Sequence, residues 1–229
     1  MILLVPNVLS AEELDAVRSE LSAARFVDGR ASATGPAREQ KRVLQLDRAD
    51  NAQRSAGELV ARALLRHPLV QAAALPKSLR HPNINRYDVS MFYGPHLDAP
   101  IMGGNPTTRT DVSVTVFLSQ PADYEGGELV IGNGAEARSV KAPAGSALLY
   151  PSGAIHQVNE VTAGSRLVAV TWIESLVRDP EQRRVLWELN EAISALESEQ
   201  ASPGTLLRLR ASHQNLLRMW AESPSTAAR

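Results

Sequence analysis

A chain of 229 residues, 44% hydrophobic and 21% charged, has apolar surface for one well-filled core with an appendage, or for two small domains. A formal net charge of −1 gives no reason to expect nucleic acid or an anionic membrane as partner. The absence of cysteine excludes disulfides, thiolate metal sites and a cysteine nucleophile.

The opening MILLVPNVLSAEEL carries a short apolar run without a basic flank, interrupted by Pro6 and followed by Glu12 and Glu13. It resembles neither a signal peptide nor a membrane span, and a cytoplasmic location is expected. Residues 2–5 read as a buried first strand. Ser10 and Glu13 have the spacing of a capping box, and Leu14, Val17 and Leu21 continue at helical spacing to about Ala24. Residues 26–40, rich in Gly, Ala, Ser and Pro, read as a loop, and Lys41–Leu46 as a strand. A second helix is expected over Ala52–Leu65, ended by His67-Pro68 and followed by a short helical piece at Leu69–Leu75.

From about Pro82 the pattern changes to short apolar runs between turn residues. The expected strands are Ile84–Val89, Met91–Leu97, Thr110–Leu118, Glu128–Ile131, Arg138–Val140, Ser146–Tyr150, Ala154–Val158 and Arg166–Glu174, with turns at Asp123–Gly127 and Gly132–Gly134. That spacing argues for an all-β sandwich or barrel rather than alternating α/β. In Asp111–Leu118, Val112, Val114, Val116 and Leu118 share one face, suited to packing under the N-terminal helices. Asp111, Ser113, Thr115 and Phe117 share the other, suited to a wet cavity. Arg166–Trp172 is apolar on both faces apart from Arg166, which predicts burial on both sides. An arginine in such a strand needs an anionic partner.

After Glu174 the pattern turns helical. Asp179-Pro180-Glu181-Gln182 is a helix start, followed by Val185, Leu189, Ile193 and Leu196 at helical spacing. Ser202-Pro203-Gly204 breaks the helix, and Leu206, Leu209, Leu216 and Trp220 mark another. The result is a helical hairpin that either covers the β core or mediates self-association. Ser223–Arg229 reads as disordered. The chain thus divides into 1–80, an N-terminal strand and helices; 81–176, the β core; and 177–229, a helical extension.

The stretch Arg86–Asp98, RYDVSMFYGPHLD, ends in His96 and Asp98, which on an extended segment project from one face. His156 lies on a late strand and Arg166 opens the next. Taken singly, these are a loop histidine, a turn aspartate, a core histidine and a salt-bridged arginine. Taken together, two histidines and a carboxylate form the set expected of a non-haem Fe(II) oxygenase, with coordination positions left open. Arg166 offers a planar fork for a carboxylate. His67 and His81 precede prolines in presumed loops, and His213 lies on the last helix; all three read as structural. Gly126-Gly127 reads as turn support rather than a phosphate cradle, because no helix start follows it.

The blocks Asn85-Arg86-Tyr87, Tyr93-Gly94-Pro95-His96-Leu97-Asp98, Arg109-Thr110-Asp111, Tyr124-Glu125-Gly126-Gly127-Glu128-Leu129, Pro143-Ala144-Gly145, Leu149-Tyr150-Pro151, Trp172-Ile173-Glu174-Ser175 and Arg178-Asp179 accompany His156 and Arg166. In these the chain resembles the Fe(II)/2-oxoglutarate-dependent dioxygenases of the prolyl 4-hydroxylase-like branch, and within it the bacterial PKHD-type hydroxylases. The match runs from Val5-Pro6 to about Leu189. The resemblance implies a mainly β (α+β) fold, a double-stranded β-helix of jelly-roll or cupin-like form, with N-terminal helices and a C-terminal helical hairpin. It implies that His96, Asp98 and His156 hold Fe(II), that Arg166 binds the distal carboxylate of 2-oxoglutarate, and that Tyr87 hydrogen-bonds this cosubstrate. Tyr93 and Trp172 either line the pocket or pack as ordinary aromatics. Phe117 stands where some animal prolyl hydroxylases have a cosubstrate-binding tyrosine, which leaves Arg166 a helper among Thr115, Tyr87 or water.

The implied reaction consumes O2 and 2-oxoglutarate, releases succinate and CO2, and hydroxylates an unactivated C–H bond, with ascorbate as an optional accessory. No catalytic side chain is needed beyond the metal centre. Two rival readings stay open: a non-catalytic metal-binding or iron/2-oxoglutarate-sensing module on the same barrel, and a cupin-like enzyme using its metal as a Lewis acid. The substrate is either a peptidyl proline or a small molecule, since bacterial relatives are often linked to iron uptake.

Overall fold

One large antiparallel sheet divides the apolar residues between its two faces, and that division positions everything else. The computed structural model describes residues 1–32, 36–104 and 107–222. The first part of the chain forms β1 (Leu3–Val5), α1 (Ala11–Leu21), β2 (Phe26–Asp28), α2 (Pro36–Glu39), β3 (Lys41–Arg42), β4 (Leu44–Leu46), α3 (Asn51–Arg66) and α4 (Pro68–Ala74). Strands follow as β5 (Pro76–Leu79), β6 (Asn83–Tyr87), β7 (Phe92–His96), β8 (Ile101–Met102), β9 (Thr108–Arg109), β10 (Val112–Phe117), β11 (Tyr124–Gly126) and β12 (Leu129–Ile131). The chain continues through β13 (Arg138–Val140), β14 (Ala147–Pro151), β15 (His156–Val158), β16 (Val161–Gly164) and β17 (Arg166–Ser175) to α5 (Pro180–Ser198) and α6 (Pro203–Trp220).

The major sheet runs β1-β14-β10-β17-β6-β4-β2, antiparallel throughout, with β5 also paired to β17. The minor sheet runs β13-β12-β15-β7-β3, also antiparallel. β11 pairs with β16 and β8 with β9 as separate ribbons. This is the mainly β, double-stranded β-helix architecture with flanking helices.

The valine face of β10 behaves as its alternation predicts. Val112, Val114, Val116 and Leu118 join Val17 of α1 and Val60, Ala63 and Leu64 of α3 in one core. Full burial of each aliphatic side chain there contributes about 1.5–3 kcal/mol. Phe117, Tyr87, Val168, Leu129, Leu148 and Val158 form a second core between the sheets. β17, central in the major sheet, sends Leu167, Ala169 and Ile173 to the helical side and Val168 to the inter-sheet side.

Caps fix the helix starts. Ser10 Oγ accepts from Glu13 N at 3.2 Å while Glu13 Oε2 accepts from Ser10 N at 3.0 Å. His67 Nδ1 accepts from Leu69 N at 3.3 Å at the head of α4. Asp179 Oδ1 accepts from Glu181 N at 2.7 Å and Gln182 N at 3.1 Å, starting α5 where predicted. α5 packs between α4 and α6, and Trp220 is half-buried. The Arg109 guanidinium donates to Asp111 at 2.9 Å, to Glu222 at 3.2 Å and to the Ser175 carbonyl at 3.0 Å, which ties the end of α6 to β9, β10 and β17. No helix among the described residues is long and apolar enough to cross a membrane.

Several expectations change. The presumed loop 26–40 contains β2, an edge strand of the major sheet, a 3-10 turn over Gly29–Ser32, and α2. Lys41–Leu46 is not one strand but a corner: β3 belongs to the minor sheet and β4 to the major, with Val43 buried between them. Tyr124–Gly126, read as a turn, is a strand paired to β16. Ser223–Arg229 lies outside the described residues.

Candidate metal and cosubstrate site

Between the two sheets lies a cavity of about 450 Å³. β7 and β15 are neighbours in the minor sheet, and their register sets His156 directly opposite His96, with ring centroids 4.2 Å apart. Asp98 follows β7, and its Oδ2 is 3.7 Å from His156 Nε2. One donor atom from each of the three lies within 4.8 Å of the others.

The surroundings prepare each of these donors. His96 Nδ1 is 2.8 Å from the Gly94 carbonyl and His156 Nδ1 is 2.9 Å from the Ala154 carbonyl. A carbonyl only accepts, so Nδ1 keeps the proton in both rings and Nε2 presents its lone pair. Burial, reinforced by the neighbouring His156, pushes His96 down to about 4, so its ring is neutral at physiological pH. Asp98 Oδ2 accepts from Ser113 Oγ at 2.5 Å, and Ser113 Oγ lies 2.9 Å from Ser152 Oγ. Ser113 is on the wet face of β10 that its alternation predicts. Tyr93 stacks on His96 with centroids 3.6 Å apart, and Tyr150 meets His156 edge-on at 5.1 Å. The Nε2 atoms of two imidazoles and one carboxylate suit Fe(II).

Deeper in the same cavity, Arg166 opens β17 only 1% exposed. Its Nε and Nη1, and the buried hydroxyl of Tyr124, have no hydrogen-bond partner among the described residues. A buried guanidinium left in that state is costly, so the cavity fits an anion at this end. Tyr87 stands directly opposite Arg166 in the β6–β17 register. Burial raises the pKa of both Tyr87 and Tyr124 against the opposing influence of Arg166, which keeps both phenols protonated and able to donate. Gly127 makes the room: at φ +64, a Cβ there would lie 3.1 Å from Arg166 Cδ, 3.1 Å from Tyr124 Cδ2 and 2.9 Å from Val161 Cγ2. Phe117 is buried in the inter-sheet core, Thr115 lines the cavity, and Trp172 lines it with a buried, unpartnered Nε1.

Tyr124, beside Arg166, lies in a segment that sequence reasoning took for a turn because of the two glycines that follow it. The remaining histidines stay outside the cluster. His67 caps α4, and His81 packs on α3, where a Cβ at Gly57 would fall 2.0 Å from its ring. His213 is a half-buried residue of α6.

A double-stranded β-helix with this donor group is the architecture of the 2OG-Fe(II) oxygenase superfamily, and residues 82–174 match that family's model. Residues 181–222 match the model of the PKHD-type hydroxylase C-terminal domain. A PKHD-type hydroxylase of Shewanella sp. strain MR-4 is 43% identical over 223 residues, covering 97% of this chain and 100% of the relative. One from Polaromonas sp. is 44% identical over 227 residues with the same coverage. The chain belongs to the PKHD-type hydroxylase family. It is an Fe(II)- and 2-oxoglutarate-dependent hydroxylase, an oxidoreductase. Two solved structures share the fold: a prolyl-4-hydroxylase of Pseudomonas putida, and a 2OG-Fe(II) oxygenase family oxidoreductase of Burkholderia pseudomallei. The first has TM-score 0.52 at 18% identity, covering 76% of this chain and 92% of the other; the second has 0.56 at 19%, covering 75% and 84%.

Proposed function

We propose that His96, Asp98 and His156 are the Fe(II) ligands and that Arg166 and Tyr87, joined by Tyr124, bind the distal carboxylate of 2-oxoglutarate. The substrate is a peptidyl proline or a small molecule hydroxylated at an unactivated C–H bond. The observation that carries this reading is the pair of unpartnered guanidinium nitrogens on Arg166, buried in the cavity that the His-Asp-His group also lines.

Fe(II) and 2-oxoglutarate, when bound, supply the oxidation: O2 gives one atom to succinate as CO2 leaves and the other to the product hydroxyl. The chain supplies position and exclusion of water. The Gly94 and Ala154 carbonyls hold the two imidazoles in the tautomer that offers Nε2. Ser113 fixes the Asp98 carboxylate, and Tyr93 stacks against His96 to restrain its ring. Arg166 would hold the distal carboxylate by a charge-assisted hydrogen bond, and the Tyr124 hydroxyl would add another donor. No side chain need move a proton in the hydroxylation step.

Anaerobic titration with Fe(II) and 2-oxoglutarate tests the site by the visible charge-transfer band of the chelate. Admitting O2 then tests for succinate. A sensing module forms the band without succinate turnover, and a Lewis-acid enzyme forms neither. Loss of the band in Asp98→Ala and in Arg166→Met is expected; a band of full strength in either variant refutes the assignment.

A further inference from the structure

The cavity holds more positive charge than iron and cosubstrate use, and Lys41 is the least explained part of it. Lys41 on β3 is 5% exposed, stands opposite Tyr93 in the β3–β7 register, and lines the cavity. Its ammonium donates to the neutral Ser32 Oγ at 2.7 Å and lies 5.0 Å from the centroid of the Tyr93 ring. Among the described residues no carboxylate pairs with it. Asp98 is engaged by Ser113, and Asp28 pairs with Arg30 at 2.5 Å. An ammonium buried in that way is costly unless something anionic joins it, and burial pushes Lys41 down to about 8.

Two more cations line the same cavity. Arg80 makes one side-chain contact, 3.4 Å from the Met102 carbonyl, and Arg48 is exposed; neither forms an ion pair among the described residues. Against these, Asp98 is the only acidic side chain among the described residues lining the cavity. With the cosubstrate bound, its distal carboxylate answers Arg166, while its keto-acid carboxylate and Asp98 answer the two charges of iron. Lys41, Arg48 and Arg80 are left facing the remaining space, where a low-dielectric wall strengthens their field.

We infer that Lys41, with Arg80 and Arg48 towards the mouth, forms an anion subsite for the primary substrate, which therefore carries a carboxylate close to the C–H bond that is hydroxylated. This rests on the iron and 2-oxoglutarate reading above. Leu97, Ala99 and Met102 line the same space and suit an apolar body attached to that carboxylate. The stack Lys41–Tyr93–His96 places the ammonium one aromatic ring away from the metal group, so the anion would lock the substrate near the reacting position rather than at the rim.

The test uses the full chain loaded anaerobically with Fe(II) and 2-oxoglutarate. The probes are a panel of N-acetyl-L-amino acids, each beside its primary amide, and blocked peptides with an internal Asp or Glu beside their Asn or Gln counterparts. Readouts are perturbation of the charge-transfer band and, on admitting O2, the rate of succinate formation. Acids should act at concentrations at least about tenfold below their amides, in line with charge-assisted hydrogen bonds. Lys41→Met should erase that advantage and Lys41→Arg should retain part of it. The free-acid arm and the peptide arm tell a small carboxylic acid from an acidic peptide.

Equal action of acids and amides, inaction of every acid, or an acid preference that survives Lys41→Met overturns the inference. The wild-type comparison stands even if a variant fails to fold. If the band never forms in wild type, the iron and cosubstrate reading itself has failed; a normal band without acid preference sinks the subsite alone.

Discussion

Arg166 stands directly across the β6–β17 ladder from Tyr87, with its guanidinium carbon 5.0 Å from the centroid of the phenol ring. The ring lies against the cation while Nε and Nη1 keep no hydrogen-bond partner among the described residues, so the site calls for arginine and not merely positive charge. Arg166→Lys should weaken 2-oxoglutarate binding by on the order of 10²-fold, since a buried charge pair loses about 2–5 kcal/mol when its geometry is broken. Cosubstrate titration of the charge-transfer band measures this. A lysine variant within threefold of wild type would contradict it.

Tyr124→Phe removes a donor without changing the ring. The expected result is a rise of about tenfold or more in the 2-oxoglutarate KM, the scale of a hydrogen bond to a charged group. Gly127→Ala should act on the same parameter, because its Cβ would fall 3.1 Å from Arg166 Cδ and 3.1 Å from Tyr124 Cδ2 at a positive φ. In both variants metal affinity in the absence of cosubstrate should hold. A fall in metal affinity instead would mean that these positions shape the barrel rather than the cosubstrate end.

Ser113→Ala leaves Asp98 in place but frees its carboxylate to rotate. Hydrogen bonds that orient a ligand are worth about 10- to 100-fold in metal affinity. Competition against a fluorescent chelator, with Co(II) as an air-stable stand-in, reads the change directly. Unaltered affinity would assign Ser113 to packing alone.

The acid limb of stability has a named contributor in Glu13. Its hydrogen bond to Arg66, and then the Ser10 amide, hold its pKa down to about 2 from 4.5. A depressed folded-state value means the contribution is complete above about 4.5 and drains away as pH falls towards 2. Because Arg66 is half exposed, the effect is screened and modest. Melting curves of wild type and Glu13→Gln should therefore differ at neutral pH and converge between those two values. A gap that stays constant down the series would place the effect in packing.

Where periodicity is long enough to carry information, the sequence announces the structure. β10 alternates over its whole length, its valine face lies in the helical core as read and Ser113 and Thr115 face the cavity, while Phe117 packs into the inter-sheet core and Asp111 pairs with Arg109. β17 is buried on both sides; the caps at Ser10 and Asp179 start their helices on the expected residue. The His96, Asp98 and His156 cluster was legible because residue type and chain order constrain it together. Short segments were not. β3 and β4 fall within the one stretch Lys41–Leu46, and only tertiary pairing sends them to different sheets. β5, β8, β9 and β16 are too brief for alternation to be told from chance, and each exists because a partner strand satisfies its backbone. The Tyr124 segment reads as a turn for a similar reason: Gly126 and Gly127 have the positive φ of a turn, yet they bend a paired strand around an arginine.

The guanidinium of Arg109 gives the two ends of this architecture a common clasp. It grips Glu222, which follows α6, and Asp111, which stands two positions ahead of the serine that steadies Asp98. Trimming the chain before Glu222, or neutralising it, would slacken the clasp at its distal jaw. The slack would then pass through Asp111 and Ser113 to the Asp98 carboxylate, far along the polypeptide from the cut.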